Sequence, residues 1–111
     1  VNTTVQGVGA KVVVSALAGA PQVGTQITVG SSAAVQCNGG TTPTVLALQG
    51  VTLQADPTNT GTVYVGLSTV ASNLCLAALA AGQSVLVPTN DPANLWVKGS
   101  ATGQKVNQSW I

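Results

Sequence analysis

The stretch Val51-Thr52-Leu53-Gln54-Ala55-Asp56-Pro57-Thr58-Asn59-Thr60-Gly61-Thr62-Val63-Tyr64-Val65-Gly66 decides the fold class. Its first five residues alternate. Val51 and Leu53 point one way and Thr52 and Gln54 the other, the period of a half-buried strand. Residues 56–61 then gather turn formers: Asp and Asn side chains bond nearby amides, and Pro fixes φ. A second strand follows at 62–66, with Val63 and Val65 on one face and Thr62 and Tyr64 on the other.

The same grammar extends outward. Val23, Thr25, Ile27 and Val29 share one face of a strand over 23–29, which Gly30-Ser31-Ser32 ends. A short strand is expected over 33–37, followed by a turn-rich break at 38–43 and a further strand at 44–48. Downstream, strands are expected at 84–87, closed by Pro88, at 95–98 and at 104–111, with a hairpin-like turn at 99–103. Only 67–82 resists, because its Ala and Leu allow a helical turn near 74–81. About eight short strands with turn signals between them predict an all-β domain. A small antiparallel β-sandwich, jelly roll or barrel fits that pattern. The 111 residues suit one domain. Its body is expected at 23–111, with 1–22 as an N-terminal arm or an edge strand.

Composition agrees with strands. Val, Ala, Thr and Gly make up more than half of the chain, Phe and Met are absent, and the aromatics are Tyr64, Trp96 and Trp110. Charge is scarce at 5% of residues: Lys11, Lys98 and Lys105 against Asp56 and Asp91. An ordinary soluble domain is about a quarter charged. So little charge leaves a free monomer poorly protected against association. Two readings follow: a surface covered by a partner or by other copies, or a Thr/Asn/Gln/Ser surface soluble unaided. Three scattered Lys cannot neutralise a nucleic-acid backbone or form a polybasic membrane patch. The apolar runs at 12–20 and 74–81 are shorter than the ~20 residues of a spanning helix. Neither a nucleic acid nor a membrane is an expected partner.

The chain is not expected to be an enzyme, and no cofactor or metal is expected. Without His, the commonest general base and metal ligand is missing. Asp56 and Asp91 each precede Pro in a turn, where Asp has a structural role. A cysteine nucleophile would lack a His partner, and two Asp are too few for a calcium site. Gly7-Val8-Gly9 lacks the third Gly of a dinucleotide loop, and the acceptor triplets at Asn2 and Asn107 are short enough to arise by chance. Cys37 and Cys75 are read as free thiols, Cys75 as a small buried hydrophobe in Leu74-Cys75-Leu76-Ala77.

If the Val/Leu faces form the core, Tyr64 and Trp96 lie on outer faces, where aromatics serve as interface anchors. Otherwise the rings fill the core. Trp110, which alternates with Val106 and Gln108, is read as core or subunit contact. The segment 1–20 has weak periodicity but an apolar centre at Val12-Val13-Val14. It is an arm that reaches a neighbour, or an integral strand of the sandwich. Interface candidates are therefore Tyr64, Trp96, Trp110, Val12, Val13 and Val14.

From residue 49 onward the chain resembles small tailed-phage virion proteins of head-decoration (cement) or head-fibre type. The resemblance lies in Gly61-Thr62-Val63-Tyr64-Val65-Gly66, in Leu79-Ala80-Ala81-Gly82-Gln83-Ser84, and in Trp96-Val97-Lys98-Gly99-Ser100-Ala101-Thr102-Gly103-Gln104-Lys105-Val106. It covers a little over half of the chain, and its motifs speak of fold more than of function. It implies a β-sandwich virion component on the capsid surface. That component would bridge subunits of the major capsid protein, as a homotrimer with dimer or monomer as runners-up. A head-fibre or tail-tip module binding cell-surface glycans is the alternative.

Overall fold

A computed structural model describes residues 21–41, 47 and 49–111. Nine strands lie in this part: β1 (Gln22–Val23), β2 (Ile27–Val29), β3 (Val35–Gln36), β4 (Val51–Ala55), β5 (Val63–Gly66), β6 (Ala77–Leu79), β7 (Ser84–Val87), β8 (Trp96–Gly99) and β9 (Gln104–Trp110). They form two antiparallel sheets. One runs β1-β9-β4-β7, with β2 beside β1 on the same flank of β9; the other runs β3-β8-β5-β6. The fold is a small all-β sandwich, as the alternation predicts. The arm or strand expected at 1–20, with Val12, Val13 and Val14, and most of the strand expected at 44–48 lie outside the described residues.

Val51, Leu53 and Ala55 of β4, Val63 and Val65 of β5, Val97 of β8 and Val106 of β9 are fully buried between the sheets. Each sits at the position that alternation assigns to the inner face. Burying one such side chain contributes about 1.5–3 kcal/mol, so these small residues carry the core together.

Two inward positions on β9 are polar. Gln104 and Gln108 are as buried as the valines, and both are hydrogen-bonded, as buried amides must be. Gln104 Oε1 accepts from the Gly61 amide at 2.8 Å, and Nε2 donates to Thr102 O at 3.2 Å. Gln108 Nε2 donates to Thr25 O at 2.7 Å, and Oε1 accepts from the Asn38 amide at 2.9 Å.

Gln108 explains the first correction. The expected strand over 23–29 is broken: Val23 pairs with Ser109 and Ile27 with Val106. Four steps on this flank therefore face three on β9. One extra residue reverses the side-chain parity. Val23 points outward and is 83% exposed, whereas Ile27 and Val29 enter the core. Gly24 lies at the break because a Cβ there would come within 2.7 Å of the Gln108 side chain.

The second correction concerns 67–82. No helix forms there; the stretch becomes a loop, strand β6 and a turn. Its alanines pair with β5, Ala77 with Val65 and Ala78 with Tyr64. Tertiary pairing outweighs the weak helix propensity of so short a run.

Candidate interaction surface

The strand directions give the sandwich two unlike ends. At one end lie the connections 30–34, 56–62, 80–83 and 100–103. Backbone bonds tie them together: the Gly99 amide donates to Gly30 O at 3.0 Å, Ser100 to Thr62 O at 2.9 Å and Gly82 to Ala55 O at 2.8 Å. Side chains add to this. Asp56 Oδ1 accepts from the Thr58 amide at 2.9 Å and from Thr58 Oγ1 at 2.6 Å. Its Oδ2 accepts from Gln26 Nε2 and Asn107 Nδ2. These bonds, the Thr58 hydroxyl first, hold the Asp56 carboxyl below its ordinary range. Asn59 takes both backbone groups of Lys105, accepting from its amide and donating to its carbonyl at 2.8 Å each. Asp56, Asn59 and the buried Gln104 at this end thus find their partners within the protein.

The opposite end holds the 67–76 loop, the 88–95 connection, the tight turn Cys37–Gly40, the start of β1 and the end of β9. Every large apolar side chain exposed among the described residues lies here: Val23, Leu67, Leu74, Leu76, Leu86 and Ile111. Three of them belong to the 67–76 loop and are 60–62% exposed. That loop is held by its own backbone. Ala71 and Leu74 exchange amide bonds at 3.0 and 3.1 Å, and the Leu76 amide donates to Val65 O at 2.7 Å. Val70 anchors it against β5: a Cβ on Gly66 would come within 2.9 Å of the Val70 side chain. Leu67, Leu74, Cys75 and Leu76 thus stand outward around a pocket of about 160 Å³. Solvent-exposed apolar clusters of this kind mark interaction sites.

Cys75 does not take the buried place its apolar neighbours suggest. Both cysteines are free, but Cys37 is the buried one and Cys75 is exposed. Cys37 enters the core where its amide donates to Leu95 O at 2.9 Å, and burial pushes its thiol up to about 12. Cys75 sits in a loop outside the sheets, so its apolar neighbours do not cover it.

Tyr64 and Trp96 do share one outer face, that of the β3-β8-β5-β6 sheet. Tyr64 pairs with Lys98 and Trp96 with Gly66 and Gln36. Both rings are half-buried. Trp110 belongs to the core of the other sheet, and its indole Nε1 is buried without a hydrogen-bond partner. Asp56 and Asp91 stand at opposite ends and form no pair. Asp91 Oδ1 accepts from the Ala93 amide at 2.8 Å and caps the 3-10 turn Pro92–Asn94. Among the described residues no group of three His, Cys, Asp or Glu side chains could hold a metal, and no helix is long and apolar enough to cross a membrane.

No protein-family model, curated protein or solved structure matches the chain. Sequence reasoning missed the three leucines of 67–76. The available signal was their setting, an apolar run without period 2 broken by Ser72-Asn73.

Proposed function

We propose that this protein is a capsid decoration (cement) protein that binds the outside of an assembled phage head and bridges neighbouring major capsid subunits. The observation that carries this reading is the gathering of exposed apolar side chains at one end of a nearly uncharged sandwich. A surface with few ions loses little by desolvation when it is covered. The mechanism is passive: whatever binds only the assembled shell stabilises it by linkage. The resemblance of residues 49–111 to small tailed-phage virion proteins supplies the partner. Heads lacking the protein are expected to assemble but to release DNA at lower temperature, and adding the purified protein back restores the wild-type value. Equal heat stability with and without it rejects the cement role.

One observation favours a second reading, a head-fibre or tail-tip module. Tyr64 and Trp96 lie on one outer face beside Gln36 and Lys98, a platform on which a sugar ring could stack. Binding to a glycan array that disappears in Trp96→Ala supports this reading over the first.

A further inference from the structure

A cleft of about 390 Å³ opens on the flank of the sandwich. Residues 25–28 border it from one sheet; β3 and the Cys37–Gly40 turn border it from the other. That volume falls within the roughly 300–1,000 Å³ of small-molecule sites. Its polar lining is Thr25, Gln26, Thr28, Gln36, Asn38 and Gln108, and none of its residues carries a charge.

Gln108 builds the inner wall. Its side chain is 2% exposed and reaches from β9 to both borders. Nε2 donates to Thr25 O at 2.7 Å, and Oε1 accepts from the Asn38 amide at 2.9 Å. The break at Gly24 leaves room for it. A side-chain amide nitrogen carries two hydrogens, and among the described residues only Thr25 O accepts from this one. One buried donor hydrogen is therefore left over at the cleft, where buried polar groups ordinarily find a partner. On the rim, Asn38 holds φ 55° in the left-handed region, followed by Gly39 at 61° and Gly40 at 77°. Residues with side chains rarely adopt that backbone, and binding sites keep it where neighbours over-determine it. Here the Gln108 bond and the bond from Asn38 Nδ2 to Thr41 O do so.

The lining selects its ligand. An ion finds no countercharge among these residues, and an apolar molecule would strand the amides. A hydroxyl both donates and accepts, so a ligand with several hydroxyls satisfies the amides and the threonines together. Ile27 and Val35 also border the cleft and offer apolar surface to the C–H face of a ring. We infer that this cleft binds one ring of an uncharged saccharide, with the left-over Gln108 N–H donating to a sugar hydroxyl. The cleft shares only Gln36 with the Tyr64 and Trp96 face and none of the leucines of 67–76, so the inference rests on neither functional reading above.

The test is an NMR titration of the isotope-labelled 111-residue chain with glucose, galactose, mannose and N-acetylglucosamine, and with glucuronate as the charged control. At least one neutral sugar is expected to shift the Gln108 side-chain amide and the Asn38 and Gly39 backbone amides saturably at millimolar concentration. Thr25→Tyr, which fills the cleft from an exposed position, is expected to weaken that response by about tenfold or more without moving the thermal transition. Shifts at the Tyr64 and Trp96 rings alone would support the stacking platform and overturn the cleft. No saturable shift with any neutral sugar overturns it too, as does a stronger response to glucuronate or one untouched by Thr25→Tyr.

Discussion

The two ends of this sandwich are built from the same short menu of residues and treat it differently. At the end holding 56–62 and 100–103, the side chains of Asp56, Asn59 and Gln104 bind the protein's own backbone. At the end holding 67–76, Leu67, Leu74 and Leu76 face solvent on a loop whose backbone is firmly bonded. The first end bonds these polar side chains internally; the second leaves three leucines exposed. Stability and association should therefore separate cleanly by end.

The largest effect is expected at the first end. Gln104→Ala removes the acceptor for the Gly61 amide and opens a hole in the core, at a cost of about 2–4 kcal/mol, read from urea unfolding. The triple change Leu67→Ser, Leu74→Ser and Leu76→Ser is expected to leave the unfolding free energy within about 0.5 kcal/mol per site while abolishing retention on heads. If Gln104→Ala unfolds like wild type, or the leucine variant unfolds early, the division by end is wrong.

Thiol chemistry sharpens the contrast. One thiol per native chain, Cys75, is expected to react with a disulfide reagent, and two after denaturation. A head-bound protein is expected to protect Cys75 as well, because it lies among the leucines. Cys37 sets an alkaline limit. Its thiol is neutral in the fold up to about pH 12 but ionises from about 9.0 once unfolded. Stability is thus full below that value and falls as pH rises through the window, and Cys37→Ala should flatten the fall.

How much of this was legible in the sequence depends on distance along the chain. Strands such as Val51–Ala55 and Val63–Gly66 announce themselves because alternation is local. That Gln104 and Gln108 share a face with Val106 is equally local. That this face is the core, with two amides inside it, depends on amides 43 and 70 residues away. The broken strand at 24–26 was hidden for the same reason: its extra residue is visible only against β9. Cys75 was misread because an apolar run looks buried until the loop carrying it is placed outside the sheet. Parity along each strand put Tyr64 and Trp96 opposite the Val/Leu faces, but that they share one outer face depends on the pairing of β5 with β8.

The smallest effect belongs to Asp56. Its carboxyl is depressed by the Thr58 and Asn107 bonds, so it stabilises the fold above its ordinary value and loses this as pH falls through the lowered one. Asp56→Asn is expected to weaken the acid limb of the stability profile below about pH 4 and to leave head binding unchanged. A loss of binding would bring the polar end into the contact.

The orientation of the protein on a decorated head tests the division most directly. A cryo-EM map of the virion is expected to show copies over the whole shell, with the 67–76 loop and Leu86 against capsid or neighbouring copies and residues 56–61 toward solvent. A map with the 56–61 turn on the shell and the leucines exposed, or with the protein confined to the tail, would contradict it.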